Sequence, residues 1–178
     1  MKYAIKVSAL FLVGLLMAII IYPIMHELGH SLTAVLVGAK VIEINLLPLP
    51  NVLCDISNTD NTGMVFIGFS GMVLPLLFSA VIKPKGFWLW YANFVLRGIS
   101  ALSFVVAIVS TLSFIAGSPM PNDDITQILL LWQNGQWLCL VTSVFFATMA
   151  IWKLVNEKPF NRCFEYFNRP TKRTASAA

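Results

Sequence analysis

The apolar residues of this chain are gathered into blocks of bilayer length, and that arrangement limits the fold more than any other feature. An apolar run of about 20 residues crosses the hydrocarbon core of a membrane as a helix. One block runs from about Val7 to Met25 and continues without a clear stop to Gly38. Others cover about Met64 to Ile82, Phe87 to Ala116, and Trp137 to Val155. Of the 178 residues, 58% are hydrophobic and only 11% are charged. A soluble domain charges about 25% of its residues to solvate its surface. The expected fold is an all-α membrane protein with about four transmembrane helices.

The third block is too long for one perpendicular span, so it either tilts or breaks near Gly98 into two, a five-span alternative. The stretch from Ala39 to Gly63 differs in texture, with Pro48, Pro50 and the polar run Ser57 to Thr62. Val41, Ile42, Ile44 and Leu46–Leu47 suggest a short strand there, and Val52 to Ile56 a returning partner, giving a β-hairpin-like segment between the first two spans. Residues 1–155 form one membrane domain, and 156–178 a charged C-terminal tail expected to be partly disordered. Cleavage of a signal peptide is not expected, because no small-residue site follows the first apolar run before His26.

Basic residues set the orientation. Lys2 and Lys6 precede the first block, Lys83 and Lys85 separate the second from the third, and six more, from Lys153 to Arg173, lie at or after the end of the fourth. With four spans all three groups fall on one side, which the positive-inside rule makes cytoplasmic at the cell membrane. The net charge of +4 therefore reflects the lipid bilayer as partner, and with no aromatic-interleaved basic patch it gives no nucleic-acid partner. Trp88, Trp90, Tyr91, Trp132 and Trp137 lie near block ends and read as interfacial anchors. Asn93 and Arg97, deep in the third block, read as snorkelling or helix-capping groups. Cys54, Cys139 and Cys163 are scattered and imply no disulfide framework.

The residues with chemical content are His26-Glu27-Leu28-Gly29-His30. Side chains four apart share one face of a helix, so both imidazoles can turn toward one metal ion. Zinc brings the pKa of a bound water near neutrality, and the carboxylate of Glu27 is placed to act as general base. The motif holds both histidines of the chain and sits at the end of a span, where ionisable groups are costly and functional. Catalytic zinc takes three protein ligands. With no third histidine, the remaining ligand is a carboxylate or a cysteine. Of the non-motif acids, Glu157 and Glu165 fall on the wrong side. If the first and third blocks run the same way, their ends meet, which brings His26 and His30 near Asp123 and Asp124.

These features resemble the site-2 proteases, intramembrane zinc metalloproteases that pair HExxH in a membrane helix with an aspartate in a later PxPxxDG-like segment. Here the segment is Pro119-Met120-Pro121-Asn122-Asp123-Asp124-Ile125-Thr126-Gln127-Ile128-Leu129, and Gly68 and Gly71 in GFSGMVLP fall where the family has a small-residue motif. Setting Asp124 on the family's aspartate aligns Pro119, Pro121 and Ile128-Leu129 as well. Ile125 stands in place of the family's glycine, and Ala116 where an asparagine tied to substrate binding is common. The resemblance covers about residues 7 to 155 and implies a compact member without appended domains. It makes 1–155 a transmembrane metalloprotease-like domain, with His26, His30 and Asp124 as ligands to Zn2+ and Glu27 as catalytic base.

The implied reaction is hydrolysis of a peptide bond in or near a transmembrane segment of a membrane-protein substrate. Two other classes compete with this reading: a zinc-binding pseudoprotease that partners membrane proteins, and a small transporter or channel subunit. An intact Glu27 favours the enzyme over the first. The scarcity of paired charges in the spans speaks against the second. The sequence sets neither the substrate nor the oligomeric state.

Overall fold

A computed structural model describes residues 2–46, 50–121 and 123–168. Helix α1 (Lys2–Leu16) passes through a π-helical turn (Met17–Ile21) into α2 (Tyr22–Leu36), so the first block is one continuous helical rod. Strands β1 (Lys40–Asn45) and β2 (Asn51–Asp55) follow, then α3 (Asn61–Val81), α4 (Phe87–Ile115), α5 (Asp124–Leu131), a 3-10 turn (Gln133–Gly135), α6 (Gln136–Asn156) and α7 (Pro159–Asn168). Among the described residues, four helical stretches are long and apolar enough to cross a bilayer: Tyr3–Leu36, Asn61–Val81, Phe87–Ile115 and Gln133–Asn168. Phe11, Leu36, Val81, Val141 and Val155 are exposed along them, an arrangement lipid accepts and water does not. The chain is an all-α multi-pass membrane protein with a short hairpin.

The third block is unbroken at Gly98. At 29 residues, α4 is about 43 Å long against a hydrocarbon core of about 30 Å, so tilt absorbs the excess. The expected hairpin is present: β1 and β2 pair antiparallel, from Lys40 opposite Asp55 to Asn45 opposite Asn51, with an irregularity between Val41 and Glu43. Pro48 and Leu47 lie outside the described residues. Gly38 closes α2 with a φ of 81°, a left-handed conformation that glycine adopts without steric penalty.

In the membrane domain α4 packs chiefly on α6, and α2 on α3. Phe69 of α3, Phe104 of α4, Ile125 and Leu129 of α5, and Cys139 of α6 meet in one buried cluster. Helix α5 is short, but Ile125, Ile128 and Leu129 fix it into this cluster. Its first turn, with Asp124, is thereby held against α2 and α3.

Of the groups read from the third block, Asn93 and Arg97 take the helix-capping role and not the snorkelling one, and Trp90 departs from the expected anchor. Arg97 does not snorkel: it is 3% exposed, pairs with Glu157, and donates through Nη2 to the Ser79 carbonyl at 2.8 Å. Asn93 donates to the Ile82 carbonyl at 3.2 Å, so both side chains satisfy carbonyls at the open C-terminal end of α3. Trp90 is no lipid-facing anchor; it is buried and its Nε1 donates to Glu157 at 3.0 Å. The tail is helical over Pro159–Asn168, while 169–178 lie outside the described residues. Lys6 of α1 donates to the carbonyls of Tyr166 and Phe167, and Phe87 stacks on Tyr166 with centroids 3.9 Å apart. These bonds hold α7 against the starts of α1 and α4.

Candidate metal centre

Helix α2 starts at Tyr22 directly from the π-helical turn, and Pro23, which has no N–H to give the preceding turn, sits where that ladder widens. From that start, His26 and His30 fall one turn apart on the same face. Their Nε2 atoms are 3.0 Å apart, and Asp124 Oδ2 lies 3.1 Å from His26 Nε2 and 3.4 Å from His30 Nε2. A tetrahedral ion with bonds of about 2.0–2.1 Å holds its ligand atoms about 3.3 Å from one another. The observed triangle has that size.

Proton placement also favours a cation at its centre. His30 Nδ1 lies 2.7 Å from the Ile67 carbonyl, which can only accept, so Nδ1 carries the hydrogen and a neutral His30 offers a bare Nε2 to the cluster. Beside it stand a carboxylate oxygen and a second imidazole Nε2. At most one hydrogen, on His26 Nε2, could serve three electron-rich atoms. A metal satisfies all three. His30 has the outer partner typical of a metal-bound imidazole, whereas the buried His26 Nδ1 has none among the described residues.

Glycines on two helices create the space. A Cβ on Gly71 of α3 would stand 2.5 Å from His30 Nε2 and 2.7 Å from His26 Cε1. One on Gly29 of α2 would drive into the Ser70 carbonyl, and one on Gly68 into Ile128 of α5. The crossing of α2 on α3 and the seat of α5 therefore depend on side chains that are absent, as in close-packed membrane helices generally.

Asp123 has a different task from its neighbour. Its carboxylate accepts from the Thr126 amide at 2.9 Å and caps α5. Asn122, the other candidate cap, lies outside the described residues. Glu43, Asp55 and Asp60 are not in the cluster; Asp60 caps α3 by accepting from Gly63 N at 2.7 Å. The three cysteines are free thiols.

Glu27 is not one of the clustered groups. It faces a cavity of about 270 Å³ that is also lined by His30, Asp124, Val52 and Cys54 of β2, and Ile56 just beyond that strand. Val52 and Cys54, alternate residues of the strand, share one face, as the period of two requires. A second cavity of about 240 Å³ lies against His26, Asp123 and Asp124 and extends to Leu102 and Val106 on the exposed side of α4. Asp124 borders both. Sequence reasoning missed Gly29, although it lies within the motif. It also missed the Ile67 carbonyl, for which a backbone group leaves no residue signature, and the bond from Tyr22 to Ser103 at 2.6 Å that ties the start of α2 to α4.

No protein-family model, curated protein or solved structure matches the chain.

Proposed function

We propose that the chain is an intramembrane zinc metalloprotease, cleaving peptide bonds in or near the transmembrane segments of membrane-protein substrates. The observation that carries this reading is the convergence of His26 Nε2, His30 Nε2 and Asp124 Oδ2 beside a cavity lined by Glu27. Two imidazoles and one carboxylate with an open fourth position are the donor set of a hydrolytic zinc site.

Zinc held there supplies Lewis-acid polarisation of the scissile carbonyl and a water of lowered pKa. Glu27 takes the proton from the attacking water and passes it to the departing amine nitrogen. His30, fixed by Ile67, keeps its ring aimed at the centre. A substrate helix has its amides hydrogen-bonded within itself and must unwind before attack. The unwound segment enters from the lipid-facing cavity at Leu102 and Val106, passes the metal site, and lies along β2 in the cavity beyond. Main-chain pairing to β2 would hold it extended.

The protein resides in the cell membrane with the α7 end of the bundle cytoplasmic, in accord with Lys6, Lys83, Lys85 and Lys153 at that end. The test is metal analysis of detergent-purified protein. About one zinc per chain is expected, and His26→Ala should empty the site. A wild-type protein that holds no zinc after purification in zinc-containing buffer overturns the reading.

A further inference from the structure

Helix α7 carries a second site, at the opposite end of the α3–α4 hairpin from the hydrophilic loop that caps α3. Arg162 and Glu165 lie three residues apart on α7, a spacing at which opposite charges on a helix normally close on each other. They do not. Neither has an ionic partner among the described residues; instead both line a cavity of about 350 Å³ with Trp90, Tyr166 and the backbone turn at Pro84 and Gly86. The Arg162 guanidinium lies over the Trp90 ring, 5.2 Å from its centroid, which positions the cation without neutralising it. A cavity walled by one held cation and one separate anion is complementary to a ligand that is itself a dipole.

The position of the cavity narrows the ligand further. Helix α7 starts three residues after α6 ends, and it lies across the starts of α1 and α4, the level at which those spans enter the bilayer. Phe160 and Phe164, one turn apart on α7, are 88% and 71% exposed, and Phe160 lines one cavity with Val155 of α6. A helix with this division of apolar and charged faces lies in the interfacial plane with its apolar face in lipid. The opening of the cavity is then at the depth of the phospholipid headgroups.

We infer that this cavity binds the phosphoethanolamine headgroup of a phospholipid, with the phosphate on Arg162 and the primary ammonium on Glu165. Arginine forms paired charge-assisted bonds to phosphate oxygens. A primary ammonium has three hydrogens to donate to a carboxylate; a choline headgroup has none, and a glycerol headgroup has no cation. Phe87 and Tyr166 stack on one another, so those two faces are closed to a quaternary ammonium. That difference predicts selectivity for ethanolamine over choline.

The experiment is native mass spectrometry of the full chain released from detergent, with added phosphatidylethanolamine, phosphatidylcholine or phosphatidylglycerol, and with soluble glycerophosphoethanolamine as a competitor. Wild type should retain phosphatidylethanolamine preferentially. R162A should weaken retention of every phospholipid by about tenfold, the effect of losing a charge-assisted bond. E165Q should abolish the preference for ethanolamine while leaving phosphatidylglycerol bound. Both side chains are exposed on α7, and an unchanged melting temperature in the two variants checks that the fold is intact. Equal retention of all three lipids by wild type, or unaltered preference in E165Q, overturns the assignment. Competition by glycerophosphoethanolamine at the same concentration as the lipid overturns the lipid as ligand. None of these readouts depends on zinc or on proteolysis.

Discussion

Gly71 and His30 are in contact through the absence of a side chain: a methyl group on Gly71 would stand 2.5 Å from His30 Nε2. Neither imidazole can retreat, because His30 is tied to Ile67 and His26 is wedged beside it with ring centroids 4.6 Å apart. Gly71→Ala should therefore empty the metal site even though alanine is the better helix former. Gly98→Ala on α4 is the control, since nothing lies within 4 Å of the added carbon there. Zinc content of the two purified variants checks this; a fully loaded Gly71→Ala protein contradicts it.

Glu27→Gln should keep about one zinc per chain and lose peptide-bond hydrolysis by a factor of about 100 or more, because an amide cannot accept the proton. The measurement pairs metal analysis with cleavage of a membrane-protein substrate in detergent. Loss of the metal would make Glu27 a structural residue, and wild-type cleavage would remove it from the reaction.

The adjacent aspartates separate by task. Asp124→Ala removes one of three ligand atoms and should lower zinc affinity sharply, at least about tenfold. Asp123→Ala removes the cap of α5 and should lower stability by about 1 kcal/mol while zinc stays bound. Zinc stoichiometry and thermal denaturation of the two variants, side by side, distinguish them. The reverse pattern would put the ligand one residue earlier.

The buried Arg97 and the partly buried Glu157, just past the end of α6, form a pair that joins the middle of the chain to its C-terminal part. Arg97→Ala should leave Glu157 without its cation and destabilise the fold by about 3 kcal/mol. Replacing both, as Arg97→Met with Glu157→Leu, should recover much of that loss. Thermal unfolding in one detergent measures the difference, and additive losses in the double variant would show that the two residues do not act as a pair.

Topology is tested by fusions. Reporters active only outside the cytoplasm should be silent after Asn168 and in the Ile82–Gly86 turn, and active between Ser57 and Asp60. Activity after Asn168 would require an odd number of crossings.

The parts of this fold that bilayer physics dictates were legible in the sequence. Span lengths follow from hydrophobic thickness, which is why the four rods and the hairpin between the first two could be read from apolar runs and turn residues. The length of α4 alone left a break at Gly98 open; its buried face of Leu96, Ser100, Phe104 and Ala107 runs straight past that position and keeps the helix whole. The histidine pair was legible because spacing on a helix fixes direction. What could not be read depends on contacts between distant segments. In the sequence Glu157 is only a tail acid on the side away from the histidines; its pairing with Arg97, 60 residues earlier, exists only in the fold. Helix α7 has little apolar length and only a strong division of faces, so it did not register as a membrane element at all.

The π-helical turn at Met17–Ile21 sets the angular phase between the two halves of the first rod. Each residue of a helix advances about 100° around its axis, and a π turn accommodates one more residue than an α turn. Tyr22, His26 and His30 are locked to α3, α4 and α5, so the C-terminal half cannot rotate. Any insertion or deletion before Tyr22 must then be absorbed by α1, turning Lys6 away from the carbonyls of Tyr166 and Phe167. The turn thus acts as a vernier between two fixed attachments, letting one rod meet the His26–His30–Asp124 cluster at one end and α7 at the other.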